Sequence, residues 1–161
     1  MITSFDDCFA RLMENEGGYV YRPNAADPGG ETRWGITLNV ARKWGYMGAM
    51  QELPQETAKE IAKAWYWTPY RCGQLPMAIA FHVFDAAYHG GQPVQWLQSA
   101  VGATPDGIIG PKTIEAVRAS QPAAVVMGFN RKRLEYLTKL KNWPDNARGW
   151  TLRIVRNMEV F

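Results

Sequence analysis

Cysteine is almost missing from this chain: Cys8 and Cys72 are its only two, far apart in 161 residues. Two cysteines make neither a disulfide framework nor a zinc knuckle, so two reduced thiols are the default expectation. Long hydrophobic runs are missing as well. No stretch approaches the roughly 20 apolar residues of a membrane-spanning helix. The first ten residues hold Asp6 and Asp7 but no lysine or arginine, so neither a signal peptide nor a transmembrane segment is expected. Strands do not alternate with helices and no repeat recurs, which argues against a doubly wound sheet or a solenoid.

What is present describes a folded protein. The chain is 47% hydrophobic and 20% charged, with seven tryptophans, a composition too apolar for disorder. Its length suits one compact domain, or a domain with a small lobe. The net charge of +3 is unevenly spread: residues 130–161 carry eight Lys/Arg against Glu135, Asp145 and Glu159, a local +5 that leaves −2 for the remainder. A basic end of this kind favours a polyanion, whether nucleic acid, acidic headgroups or an anionic wall polymer.

Helical signals dominate. A first helix is expected over residues 3–16, with Thr3 or Ser4 as N-cap and Asp6 and Asp7 in the first turn, where the helix dipole favours negative charge. At about 100° per residue, Phe5, Phe9, Leu12 and Met13 share one face; Glu16 projects into it and Glu14 lies opposite, toward water. Gly17-Gly18 ends this helix, and Asp27-Pro28-Gly29-Gly30 signals a reversal between short β-favouring runs, so a small β-hairpin or ribbon is expected. Thr37 caps a short helix, and Pro54-Gln55 opens another that ends among Trp65, Tyr66, Trp67 and Tyr70. Residues 75–91 form a helix apolar almost all round, the pattern of a buried central helix. Further helices follow the change of pattern at Gly90-Gly91, one beginning at Pro111 and the last spanning about 144–160. The class is mainly α, with about seven helices. A soft boundary near Gly90 divides residues 1–90 from a helical lobe, 91–161, packed on them.

Glu16 is the residue most suggestive of chemistry. Desolvation on an apolar helix face and the negative end of the helix dipole both favour a protonated carboxyl, the state a general acid requires. Cleaving a glycosidic bond needs such a group, commonly with a second carboxylate nearby, and Asp27 is the natural second candidate. Each has a structural alternative. Glu16 can turn back onto the amides of Gly18 or Tyr19, and Asp27 can serve only as a turn residue.

ENEGGY followed by ADPGGETRWGIT resembles the signature of glycoside hydrolase family 108, the N-acetylmuramidases that include phage endolysins and proteins called secretion activators. The family pattern E-G-G-Y, D-P-G-G-x-T and G-I-T is matched by Glu16 to Tyr19, by Asp27 to Gly30 with Thr32, and by Gly35 to Thr37. FDAAYHGG resembles the family's F-D-x-x-V-N-x-G, with Asp85 matching and Tyr88 and His89 standing where Val and Asn are usual. WLQSAVGATPDGIIGPKTIEAV resembles the peptidoglycan-binding module joined to this family, through Asp106, Gly107, Gly110, Pro111 and Thr113.

The resemblance implies a lysozyme-like helical fold that hydrolyses the β-1,4 bond between N-acetylmuramic acid and N-acetylglucosamine, without cofactor or metal. Glu16 would protonate the leaving oxygen. Asp27 would stabilise the oxocarbenium-like charge or hold water, with Thr32 or Thr37 positioning that water. Tyr19, Trp34, Trp65 and Tyr66 offer faces for sugar rings, and Asp85 and His89 complete the expected substrate contacts. The implied partner is peptidoglycan, joined by an anionic wall or outer-membrane surface at the basic segment; the chain is expected to be a monomer that binds no nucleic acid. An endolysin of this kind would accumulate in the host cytoplasm and reach the periplasm and wall through a holin. The alternative is a peptidoglycan-binding or secretion-associated protein of the same fold that does not cut.

Other readings are weaker. His82, Asp85 and His89 lie on one side of the central helix, but an i, i+7 pair is about 10.5 Å apart along the axis, far for two ligands of one ion. GIIGPKT lacks the glycine spacing of a phosphate-binding loop.

Overall fold

The computed structural model describes residues 2–16, 18–21 and 30–160. Helix α1 spans Phe5–Asn15 and starts with a capping box: Ser4 Oγ accepts from the Asp7 amide while the Asp7 carboxylate accepts from the Ser4 amide. Two backbone donors left free by the first turn are thereby satisfied. Of the two cap residues considered, Ser4 is the cap, and Thr3 donates to the same carboxylate.

Strands β1 (Val20–Tyr21), β2 (Glu31–Arg33) and β3 (Ile36–Thr37) form an antiparallel sheet in the order β1-β2-β3. Thr32 is the register centre, opposite Val20 on one side and Thr37 on the other. The β2–β3 turn is Trp34-Gly35, both with positive φ (55° and 76°).

Thr37 then accepts from the Val40 amide and caps α2 (Leu38–Trp44). Helix α3 (Gln55–Ala62) widens at its end into a π-helical turn over Lys63–Trp67. The chain continues through α4 (Met77–His89), α5 (Pro93–Ala100), α6 (Pro111–Ala119), α7 (Pro122–Leu137) and α8 (Trp143–Asn157). Proline at the first or second position of the last four helices supplies a helical φ where no amide bond is needed. Eight α-helices stand among the described residues, one more than the sequence pattern separates.

Helix α4 is the axis of the molecule. Residues 79–87 are all buried, as its all-round apolar sequence requires. Around it one hydrophobic core runs from Cys8 on α1 to Val160 beyond α8. Where α5 crosses α7, Gly128 leaves room for Ala100: a Cβ there would lie 3.2 Å from that of Ala100. Cys8 and Cys72 are free and buried in this core, and burial pushes the Cys8 thiol up to about 12. Among the described residues no helix is long and apolar enough to cross a membrane.

Candidate active site

Glu16 is the C-cap of α1 and has left helical geometry (φ −94°, ψ 129°). Its side chain nevertheless points inward, as the helical phase suggests: it is 17% exposed, against 60% for Glu14, which pairs with Arg11 one turn back. The surroundings are not the apolar ones expected. Arg153 on α8 donates from Nη1 to Glu16 Oε1 at 2.6 Å. This bond replaces the turn back onto Gly18 or Tyr19.

On its other side the Glu16 carboxylate meets the β2–β3 turn. A Cβ on Gly35 would lie 2.8 Å from Glu16 Oε2 and 2.5 Å from Tyr88 Cε1. Glycine is therefore demanded both by φ and by the close approach. The Tyr88 hydroxyl donates to the Trp34 carbonyl at 2.8 Å, tying α4 to the same turn. Burial, and then the Glu16 carboxylate, push the Tyr88 phenol well above its ordinary range. Tyr88 is a neutral donor at any physiological pH.

Behind Arg153 lies a buried ionic cluster. Asp85 Oδ1 accepts from Arg153 Nε at 3.0 Å and lies 2.8 Å from its Nη2, while Arg133 Nη1 on α7 donates to Oδ2 at 2.6 Å. Asp85 is fully buried and Arg133 is 1% exposed. Burial alone would raise the Asp85 carboxyl, but the two guanidiniums outweigh it and hold Asp85 well below the usual carboxylate range. Asp85 is thus enclosed by protein, with both oxygens engaged. The substrate contact expected of it is not available in this arrangement.

His89, one turn after Asp85, sets Nδ1 3.4 Å from Arg133 Nη2 and packs edge-on against Trp150. Burial, then the Arg153 and Arg133 charges, lower it to about 4. His82 faces Asn130 Nδ2 at 3.1 Å and is likewise lowered to about 4 by burial. His82 thus faces Asn130, whereas Asp85 and His89 both face Arg133, a cation. The three do not converge on one point, as a metal site would require.

The remaining expected site residues scatter around the hairpin. Thr32 Oγ1 is half-buried and 3.5 Å from the Val20 carbonyl, whereas Thr37 Oγ1 is committed to capping α2. Tyr19 accepts from Gln51 through its hydroxyl. Trp34 donates its indole N–H to the Leu53 carbonyl, with the Arg33 guanidinium 5.2 Å from its ring centroid. Trp65 packs edge-on against Trp44, and Tyr66 against Tyr88. Asp27 lies outside the described residues. The structure thus brings Glu16, the Trp34-Gly35 turn and Tyr88 together, and leaves Trp65 on a separate aromatic pair.

Arg133 and Arg153 escaped the sequence analysis, where both counted only among the eight Lys/Arg of the basic segment. Spacing carried no signal for them, because their acidic partners are 48 to 137 residues away.

Comparison with known proteins agrees with this architecture. Residues 9–91 match the family model described as Glycosyl hydrolase 108, and residues 92–155 the one described as Predicted Peptidoglycan domain. None of the curated proteins matches the chain. Among solved structures, the one titled "Structure of Brucella abortus SagA" is similar over 96% of this chain and 91% of that chain, with 32% sequence identity and a TM-score of 0.84. The fold is thus the lysozyme-like helical one, with its small antiparallel sheet directly after the first helix. With Glu16 and Gly35 of its signature in contact where the end of α1 meets the β2–β3 turn, the chain belongs to the glycosyl hydrolase 108 family, followed in the same chain by a peptidoglycan-domain segment.

Proposed function

We propose that the protein is an N-acetylmuramidase of the endolysin type, cleaving the β-1,4 bond between N-acetylmuramic acid and N-acetylglucosamine in peptidoglycan. The observation that carries the reading is the seat of Glu16: an inward carboxyl at the end of α1, against the Trp34-Gly35 turn that follows the strand of Thr32. Glu16 donates the proton to the leaving oxygen as positive charge develops on the sugar. Asp27 stabilises that charge or orients the water, and Thr32 supplies a hydroxyl to the water. Tyr19, Trp34 and Tyr66 offer ring faces near the turn. Residues 1–90 act as the catalytic lobe, with 91–161 as a peptidoglycan-binding lobe packed on it.

The exposed cations Lys139, Lys141, Arg148 and Arg156, which have no ion partner among the described residues, would help the protein associate with anionic wall or outer-membrane surfaces after holin-dependent release.

A second reading keeps the fold and drops the cleavage, leaving a protein that holds wall glycan. One observation favours it: an ion-paired Glu16 is also what a structural clasp between α1 and α8 looks like. Turbidity clearing of outer-membrane-permeabilised Gram-negative cells separates the two. Wild type and Glu14→Gln should clear, and Glu16→Gln should lose at least about 100-fold. Equal clearing by Glu16→Gln would sink the muramidase mechanism. Mass analysis of the digest should find reducing-end muramic acid; anhydro-muramic products or free peptides would instead assign a lytic transglycosylase or an amidase.

A further inference from the structure

Helix α8 lies in the segment matched to a peptidoglycan domain, yet its inner face is turned toward the end of α1. Three polar contacts join them. Arg11 Nη2 donates to the Arg156 carbonyl at 2.9 Å, Asn15 Nδ2 to Asn157 Oδ1 at 2.9 Å, and Arg153 Nη1 to Glu16 Oε1 at 2.6 Å. The third differs in what stands behind it. The Arg153 guanidinium is planar and rigid; its Nε donates to Asp85 Oδ1, with Nη2 in ion-pair contact with the same oxygen, and Arg133 holds the other carboxylate oxygen. With one edge fixed, the direction of Nη1 is fixed too.

We propose that Arg153 is a positioning residue for the catalytic acid, fixing the Glu16 carboxyl through Oε1 so that Oε2 is the oxygen that bears and delivers the proton. A guanidinium donates only and never accepts. The oxygen it engages keeps its lone pairs toward nitrogen, and the proton of the acid form resides on the other. Oε2 is the oxygen against Gly35, in the turn that joins the strands on which Thr32 and Thr37 stand as a register pair. Asp85 and Arg133 act through Arg153 and touch no substrate. The peptidoglycan-domain segment therefore contributes to the chemistry besides any part in binding. Placement errors of about 1 Å at a reacting group cost on the order of 100-fold in rate, which sets the size of the expected effect.

The inference rests on Glu16 being the acid, and the test separates the two failures. In the full-length chain, kcat and KM on solubilised peptidoglycan are measured for wild type, Glu16→Gln, Arg153→Met and Arg153→Lys, each corrected for folded fraction by thermal melting. Arg153→Met should lower kcat about 100-fold with KM within about twofold. Arg153→Lys, which keeps the charge but loses the rigid fork, should recover part of that loss. If Arg153→Met does not fold, Arg153→Lys decides alone: at unchanged melting temperature it should lose at least about tenfold in kcat. Wild-type kcat per folded molecule in either Arg153 variant, with Glu16→Gln inactive, overturns the positioning role and leaves the muramidase reading intact. Full activity in Glu16→Gln overturns both.

Discussion

The buried polar networks around Gln98 and around Asp85 are built in opposite ways. Around Gln98 on α5 the network is largely neutral and local. The Gln98 amide donates to Asp106 Oδ1 at 2.7 Å and to the Ile108 carbonyl at 3.0 Å, lies 3.3 Å from Thr113 Oγ1, and accepts from the Gly107 amide at 3.0 Å. Its members lie within 15 residues of one another in sequence and staple the D-G-x-x-G-P-x-T loop. Around Asp85 the network is ionic and non-local, joining four elements across 48 to 137 residues. A local staple holds a loop in shape. A buried ion cluster is expensive to desolvate and poor as pure stabilisation, so its placement behind Glu16 is better explained by what it positions.

The contrast can be broken by experiment. The largest effect is expected from Asp85→Asn, which leaves Arg133 and Arg153 buried without a counter-charge. Breaking a buried pair in this way costs about 3–5 kcal/mol, read as a fall in the denaturant midpoint, and activity per folded molecule should fall as well because Arg153 loses its anchor. Gln98→Leu should cost less, about 1–3 kcal/mol from the groups it leaves unsatisfied. Its activity on solubilised fragments, per folded molecule, should stay near wild type. An equal loss of activity in both variants would erase the distinction between staple and positioning network.

The smallest effect concerns pH. His82 and His89 have ordinary values near 6.5 and are lowered to about 4 in the folded protein, chiefly by burial. Between those limits the unfolded chain takes up protons that the folded one refuses, so stability is complete above about pH 6.5 and falls as pH drops toward 4. His89, which faces Arg133 and Trp150, is the more accessible of the two to substitution. A series of urea midpoints across this window should show a shallower slope for His89→Asn than for wild type, and an unchanged slope would remove His89 from the account.

Local rules made much of the fold legible. Ser4 with Asp7, Thr37 before Leu38, and Pro111 at a helix start each act within a few residues, where capping geometry and backbone preference decide the outcome. The apolar pattern of residues 75–91 led to a buried central helix, as found. Asp85 was misread for the complementary reason. A lone acid in an apolar helix can face a ligand or a distant counter-ion, and nothing within its own helix distinguishes them. On α8, Leu152 and Val155 are exposed, and the helix packs through Arg153, Ile154 and Asn157.

At Glu16 the two levels of information meet. The sequence by itself determined that one glutamate of ENEGGY turns inward and the other stays in water, because helical phase is a local property that persists to the cap. Only the tertiary structure decided that the inward one meets an arginine from α8, that its second oxygen abuts Gly35, and that Asp85 and Arg133 hold the arginine. Those contacts depend on how helices far apart in the chain pack together, and ion pairing across such distances leaves no periodic trace in the sequence.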